Sequence, residues 1–202
     1  MQHVVSLGAG KTIQLYYNKN VYSPEYSSIS TILLADKLIK DGKKPNATLC
    51  DVGCGTGMIG LGVKKLNPTI QLTLCDIDNA AVRVSKLNAK RLGLPATVLQ
   101  SDMLPTGSSA GRWDIITANL PTFTQLDMPL ALHGPEVAYY SGEPEEPLTL
   151  YEKLFNEAKG RCKALVCECQ TKYQEPFLQM AEKAGWKLVL SSDMAFAFIS
   201  KR

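Results

Sequence analysis

The feature that most constrains the fold lies at residues 49–61, where an apolar run enters a turn with alternating glycines. The letters are Leu-Cys-Asp-Val-Gly-Cys-Gly-Thr-Gly-Met-Ile-Gly-Leu. An apolar run that ends in such a turn and resumes with helical spacing predicts a strand, a tight turn and the start of a helix. Glycine adopts backbone conformations that other residues avoid, and it lets a ligand approach the backbone closely. The stretch therefore predicts an α/β unit whose glycines serve a ligand site or packing alone.

A second short strand, predicted over residues 70–76, ends in Asp76, which follows Gly57 by 19 residues. Nucleotide-binding α/β units place a ribose-binding carboxylate about 20 residues after their glycine turn. A carboxylate accepts two hydrogen bonds and carries no proton of its own, so it suits two adjacent hydroxyls. Asp78 is the alternative acid, but its position favours a cap on the next helix. We therefore expect Asp76 to bind a ribose.

The glycine turn departs from a dinucleotide site, because it lacks the Gly-x-Gly-x-x-Gly spacing and contains Asp51. A carboxylate there would repel a pyrophosphate, whereas it suits a ligand with a cationic amino-acid end. The letters Asp-Val-Gly-Cys-Gly-Thr-Gly resemble motif I of the class I methyltransferases that depend on S-adenosyl-L-methionine (AdoMet). The resemblance implies AdoMet as the cofactor. It implies contacts from Asp51, Gly53, Gly55, Thr56, Gly57, Asp76 and Ile77.

The order of elements predicts the fold class. Strands alternate with helices through short links, which predicts a parallel sheet wound by right-handed crossovers. Two strands near the end, at residues 186–190 and 195–200, suit the antiparallel pair that closes such a sheet in methyltransferases. We expect an α/β, doubly wound, seven-stranded, mostly parallel sheet of the Rossmann-like methyltransferase type. The other predicted elements are strands at 49–53, 70–76, 96–100, 113–118 and 164–170 and helices at 29–38, 57–66, 79–92, 148–155 and 174–184.

Composition sets the domain count and excludes some classes of protein. The chain has 202 residues, 45% of them hydrophobic, which suffices for one α/β domain. We expect residues 1–26 to form an extension with a short strand and turn, and residues 27–202 to form the methyltransferase domain. The net charge of +3 gives little support for nucleic-acid binding. The sequence shows no signal peptide or membrane span, and its cysteines are typical of buried thiols, so we expect a cytoplasmic protein.

Two further segments resemble cofactor contacts. Asp102 and Met103 follow the strand at 96–100 and resemble an adenine-contacting motif, in which the acid accepts from the exocyclic amine and the methionine packs on the ring. A plain loop acid is the alternative for Asp102. The letters Val-Tyr-x-Pro at residues 21–24, followed by Ser28 and an apolar helix, resemble the segment that covers the methionine end of AdoMet in HemK/PrmC-type protein-glutamine methyltransferases. Ser28 is thus either a cofactor contact or a helix cap.

The strand at 113–118 leads into Asn119-Leu120-Pro121, which resembles the Asn/Asp-Pro-Pro-Tyr/Phe motif of methyltransferases that act on planar nitrogens. The lone pair of such a nitrogen is delocalised, so acceptors must hold its hydrogens and orient it toward the methyl group. The resemblance implies that Asn119, Leu120 and Pro121 form the catalytic turn. Leu120 replaces the first proline of the motif and Thr122 its aromatic residue, with Phe123 displaced by one.

Three functions follow from these resemblances. The match to the HemK/PrmC-type enzymes extends to the helix at 148–155 and to the ending Glu168-x-Gln170, which favours a glutamine side-chain amide in a protein as the acceptor. Asn-Leu-Pro also resembles the ribosomal RNA adenine dimethyltransferases, so an adenine or cytosine amine of a nucleic acid is the first alternative. The second is a non-catalytic subunit with an AdoMet fold. We expect no helical docking domain in the first 20 residues, so an activating partner subunit is a further expectation.

Overall fold

The computed structural model describes residues 2–8, 10–17, 21, 28–122 and 146–201. Its strands are β1 (Gln2–Gly8), β2 (Lys11–Tyr16), β3 (Thr48–Val52), β4 (Gln71–Asp76), β5 (Thr97–Gln100), β6 (Trp113–Ala118), β7 (Cys162–Glu168), β8 (Trp186–Ser192) and β9 (Ala195–Ser200). Its α-helices are α1 (Ile29–Asp41), α2 (Met58–Leu66), α3 (Asn79–Leu92), α4 (Thr149–Glu157) and α5 (Gln174–Lys183). Apart from β1, each of these elements was predicted, with bounds that differ by a few residues.

Strand β3 is the third strand of a seven-stranded sheet with the order β5-β4-β3-β6-β7-β9-β8. β3 pairs in parallel with β4 on one side and with β6 on the other. Only β9 runs antiparallel to its neighbours β7 and β8. The predicted fold class is therefore confirmed. The winding direction reverses between β3 and β6, and in open α/β sheets ligands bind at the carboxyl ends of the strands at such a point.

The two faces of the sheet bury different apolar side chains, because successive residues of a strand point to opposite faces. Leu49 of β3 packs with α1 and α2, whereas the next residue, Cys50, packs with the aromatic core that α4 and α5 supply. Helices thus cover both faces, as a doubly wound sheet requires. The six cysteines are free thiols, five of them buried, as the sequence predicted.

The first two strands form a separate hairpin outside the main sheet. Val5, Leu7, Ile13 and Leu15 are buried against the same core as α1 and α2. The strand near residue 13 was expected, whereas β1 was not, because we did not interpret Gly8 and Gly10, where the two strands meet, as a hairpin turn. The division of the chain at residue 27 stays a prediction.

Some predictions fall outside the described residues: the Val-Tyr-x-Pro segment at Tyr22 and Pro24, and the displaced aromatic Phe123. Within the described ranges, no helix has the length and apolar character needed to cross a membrane.

Candidate cofactor and acceptor site

The glycine turn between β3 and α2 requires glycine for two separate reasons. Gly53, Gly55 and Gly57 have φ angles of 64°, 53° and 83°, in the left-handed region that disfavours other residues. A Cβ on Gly57 would also lie 2.9 Å from Leu61 Cδ1, and one on Gly53 would lie 3.0 Å from Leu120 Cδ2. The turn is therefore a tightly packed piece of bare backbone at the carboxyl end of β3.

Asp51 lies below this turn, and both of its carboxylate oxygens are used within the protein. Oδ2 accepts a hydrogen bond from Gly60 N at 2.9 Å, and Oδ1 accepts one from Thr117 Oγ1 at 2.8 Å. Burial raises the pKa of Asp51 to about 7, although the bonds from Thr117 and Gly60 act in the opposite direction. The sequence suggested a direct contact with a cationic ligand group. With only 1% of its surface exposed, Asp51 joins β3, β6 and α2 and supports the turn from below, and its contact with a cationic ligand group stays a prediction.

Asp76 ends β4 beside the glycine turn. Its Oδ2 accepts from Gly55 N at 2.8 Å and its Oδ1 accepts from Asp78 N at 2.9 Å. Burial raises the pKa of this carboxyl above its ordinary value, against the effect of the bond from Gly55. Asp78 caps α3 by accepting from Ala80 N at 2.8 Å, as expected. Because Asp78 serves as a helix cap, Asp76 is the acid that lies beside the glycine turn.

The turn also contains Thr56, which the sequence placed among the cofactor contacts. Its carbonyl oxygen accepts from Asn88 Nδ2 of α3 at 2.9 Å. Within the described chain, Thr56 Oγ1 is a buried side-chain oxygen without a hydrogen-bond partner. Such an orphaned group is uncommon in a folded protein and calls for an explanation such as a missing ligand.

These groups fit AdoMet. The bare turn allows a ligand to approach the backbone, and the carboxylate of Asp76 suits ribose hydroxyls. Ile77, directly after Asp76, keeps 51% of its surface exposed and offers an apolar surface for a planar ring. Gly53, Gly55, Gly57, Asp76 and Ile77 would hold the cofactor, and their individual contacts stay predictions.

The proposed adenine contacts differ from each other in their surroundings. Asp102 Oδ2 accepts from Lys153 Nζ at 2.7 Å, with both side chains largely exposed. A carboxylate accepts more than one hydrogen bond, so this ion pair does not exclude an adenine contact, and the role of Asp102 stays a prediction. Met103 has a φ of 64° and lies buried in the core near Val52 and Leu120. Its contact with a ring stays a prediction.

The Asn119-Leu120-Pro121 turn follows β6, the strand that pairs with β3 on the side opposite β4. Asn119 Nδ2 donates to Ser28 Oγ at 3.2 Å. Ser28 precedes α1 but makes no side-chain capping bond, so the capping alternative is wrong and its hydroxyl serves the Asn119 side chain. The Leu120 side chain packs on Gly53, as the 3.0 Å approach to a Cβ there shows. The glycine turn at residues 53–57 is called the cofactor turn below, and the turn at residues 119–121 is called the acceptor turn. The two turns are therefore in direct contact.

Two residues that hold these turns were missed from the sequence. Leu120 N donates to Tyr151 Oη at 2.9 Å, and Tyr151 Oη donates to the carbonyl oxygen of Glu168. Asn88 binds both Thr56 and the backbone of Tyr16. Tyr151 and Asn88 lie on amphipathic helices, and the residues around them in the sequence do not indicate that they bond to distant backbone groups. Glu168 was noted for its family pattern, and its Oε2 accepts from Thr31 Oγ1 at 3.2 Å.

Relatives of the chain fall into protein-modifying and RNA-modifying groups. The Deinococcus radiodurans release factor glutamine methyltransferase is 24% identical over 96% of this chain and 70% of its own length. The Pasteurella multocida ribosomal RNA small subunit methyltransferase C is 30% identical over 57% of this chain. The chain spans 34% of that relative and 40% of the Rhodopirellula baltica release factor glutamine methyltransferase.

Solved structures agree with this fold. A 16S rRNA methyltransferase of T. Thermophilus, in complex with AdoMet and guanosine, superposes with a TM-score of 0.69 at 18% identity. The match covers 100% of this chain and 50% of that one. A ribosomal protein L11 methylase from Lactobacillus delbrueckii subsp. bulgaricus gives 0.67 at 13% identity, covering 99% of this chain and 100% of the other. At these identities the similarity concerns the fold alone.

The model of the methyltransferase small domain family matches residues 12–133, which include both turns of the site. This chain therefore belongs to the methyltransferase small domain family and is a class I AdoMet-dependent methyltransferase.

Proposed function

We propose that this methyltransferase acts on a planar nitrogen, and that its acceptor is a glutamine side-chain amide in a protein. The observation that carries the proposal is the orientation of Asn119. Its Nδ2 is used by Ser28, so its Oδ1 remains as an acceptor for a substrate N–H. The contact between Leu120 and Gly53 holds this acceptor turn against the cofactor turn.

The chemistry required of the protein is mainly positioning. AdoMet supplies an electrophilic methyl group on a sulfonium. Asn119 Oδ1 and a backbone carbonyl of the turn would accept the two hydrogens of an amide nitrogen and direct its lone pair toward that methyl group. Well-oriented reactants are worth about 7–11 kcal/mol of the barrier. A general base is not needed, because the nitrogen becomes strongly acidic once it is methylated and releases its proton afterwards.

The extent of the similarity supports a protein glutamine over a base. The release factor glutamine methyltransferase of Deinococcus radiodurans aligns over 96% of this chain, and that of Rhodopirellula baltica over 56%. The ribosomal RNA methyltransferases C of Pasteurella multocida and Pseudomonas entomophila align over 57% and 55%. The Asn-Leu-Pro turn is supported by Tyr151 and Glu168, which lie in the part of the chain outside the family model's match.

A nucleic-acid base is the second candidate. Within the aligned part, the two RNA methyltransferase relatives are 30% and 33% identical, compared with 24% and 30% for the two release factor glutamine methyltransferases. An adenine or cytosine amine presents the same two hydrogens to Asn119 as an amide does. The non-catalytic alternative predicts cofactor binding without turnover. An activating partner subunit stays a prediction.

The test offers the protein labelled AdoMet with three acceptors: a class I release factor with a Gly-Gly-Gln loop, the same factor with that glutamine changed to asparagine, and total RNA with DNA. We expect label in the first only, in protease-sensitive and nuclease-resistant material. An Asn119→Ala variant should transfer label about a hundredfold or more slowly while still binding AdoMet. Label lost on nuclease treatment would establish the nucleic-acid alternative, and no label in any acceptor would support the non-catalytic one.

A further inference from the structure

The Asn-Leu-Pro turn has a backbone group that its resembled motif lacks. The motif carries proline at the position of Leu120, and proline has no backbone N–H. Leu120 has one, and the residue is only 5% exposed. A buried N–H without a partner costs about 1–3 kcal/mol. The backbone N–H of Leu120 therefore needs a hydrogen-bond acceptor at the centre of the proposed acceptor turn.

The hydroxyl of Tyr151 is this acceptor, and its oxygen lies 2.9 Å from Leu120 N. The same hydroxyl has a single hydrogen and donates it to the carbonyl oxygen of Glu168. It can therefore only accept from Leu120. Burial raises the pKa of Tyr151 well above its ordinary value, so the hydroxyl keeps that hydrogen.

The ring of Tyr151 has little freedom to move. It is fully buried, and it packs edge-on against Phe177 with ring centroids 5.0 Å apart. Against Phe155, at 6.4 Å, it lies tilted by 36°. Edge-to-face pairs of this kind are favourable beyond the area that they bury. Tyr151 lies on α4, and its hydroxyl reaches the turn after β6. Because the aromatic core holds the ring in place, the position of the hydroxyl oxygen that accepts from Leu120 N is fixed.

We propose that Tyr151 is a positioning residue that replaces the missing proline of the acceptor turn. The peptide bond between Asn119 and Leu120 is planar, so a bond to the Leu120 N–H fixes the plane that contains the Asn119 carbonyl. Ser28 holds the Asn119 side chain at 3.2 Å, and Tyr151 holds its backbone. This inference rests on the proposed function, because it assumes that Asn119 orients the acceptor nitrogen.

The first experiment compares Tyr151→Phe with Trp186→Phe. Both remove one buried donor to a backbone carbonyl in the same core, since Trp186 Nε1 donates to Phe155 O at 2.9 Å. In Tyr151→Phe we expect at least a tenfold lower kcat, AdoMet affinity within twofold, and at least tenfold faster exchange of the Leu120 amide hydrogen. In Trp186→Phe we expect lower stability but unchanged kcat and unchanged Leu120 exchange. Equal loss of kcat in both variants would overturn the proposal, since it would indicate general loosening of the core.

The second experiment uses the background Leu120→Pro, which has no N–H at this position. There, Tyr151→Phe should lower kcat less than threefold, because the bond that it removes no longer exists. The same loss of kcat in both backgrounds would contradict the proposal and assign the effect to Glu168. Where Leu120→Pro is too unstable to assay, the exchange of the Leu120 amide in Tyr151→Phe decides the question by itself.

The two proposals fail in distinguishable ways. If the wild-type protein methylates nucleic acid and no glutamine, the acceptor assignment fails, while kcat on the nucleic acid still tests Tyr151. If the protein transfers no methyl group at all, unchanged Leu120 exchange in Tyr151→Phe overturns the positioning role, and faster exchange supports the bond on which it depends.

Discussion

The cofactor turn and the acceptor turn lie side by side but are built in different ways. The cofactor turn consists of near neighbours in the chain, from Asp51 to Gly60, with Asp76 beside it. The acceptor turn depends on side chains from far along the chain, since Ser28 and Tyr151 bind Asn119 and Leu120. The left-handed glycines and the carboxylates of Asp51 and Asp76 shape the first turn, whereas packing of α1 and α4 holds the second. Substitutions in the two turns should therefore have separable effects.

The largest expected effect concerns Asp51, whose folded pKa of about 7 exceeds its ordinary value of 3.8. Between these values the folded state binds more protons than the unfolded state, so the free energy of unfolding should fall as pH rises from 4 to 7. One pKa unit is worth about 1.4 kcal/mol, which gives a loss of about 4 kcal/mol. Asp51→Asn should remove the part of this dependence that Asp51 contributes and keep the part from the raised pKa of Asp76. The amide can still accept from Gly60 and can donate to Thr117.

Urea denaturation at pH 4, 6 and 8 measures this effect. We expect the variant to equal the wild type near pH 4 and to be the more stable protein at pH 8. If the free energy of unfolding changes equally with pH in the two proteins, the pKa of Asp51 is not raised in the folded state.

Next in size, Asn119→Ala should lower kcat about a hundredfold or more, as expected for loss of one preorganised polar contact at a reacting centre. AdoMet affinity should stay within about tenfold, because the residue belongs to the acceptor turn. Ser28→Ala should cause a smaller loss of kcat, since it frees the Asn119 amide without removing it. Steady-state kinetics and calorimetry check both variants. A parallel fall of kcat and affinity would make Asn119 a cofactor or folding residue.

Asp76→Ala should weaken AdoMet binding by about 2–3 kcal/mol, because ribose hydroxyls lose a charged acceptor in a partly enclosed site. The matched control is Asp78→Ala. It should destabilise α3 by about 1 kcal/mol through loss of its cap but leave AdoMet affinity nearly unchanged. Calorimetry on both variants decides which acid binds the ribose, and the reverse ranking would move that role to Asp78.

The smallest effect is expected for Asn88→Ala, which should weaken AdoMet binding about tenfold by releasing the Thr56 carbonyl, a loss of about 1.4 kcal/mol. Exchange of the Tyr16 amide hydrogen should become faster, because Asn88 Oδ1 accepts from it at 2.7 Å. Asn67→Ala is the control, since Asn67 binds Asp36 and Val63 at the other end of α2. Equal affinity loss in both variants would argue against a link between the hairpin and the cofactor turn.

The sequence predicted most of the fold, and the reasons are local. Periodic apolar residues, the glycine turn and short links were enough to place the seven strands of the main sheet and α1 to α5. It also distinguished Asp76, at the end of a strand, from Asp78, at the cap of the next helix. The two acids are only two positions apart, and position along the chain is enough to separate these roles. It missed β1, and it did not predict that the side chain of Ser28 bonds to Asn119 or that the side chain of Asp51 bonds to Gly60 and Thr117.

What the sequence determined by itself is the α/β fold, the cofactor turn and the position of the Asn-Leu-Pro turn, since each is encoded by residues close together in the chain. Tertiary structure alone decided that Ser28 binds Asn119, that Tyr151 accepts from Leu120, and that Asn88 joins Thr56 to the hairpin. These partners are separated by 91, 31 and 32 positions. A buried polar group must find a partner, but which one it finds depends on how helices and strands pack together.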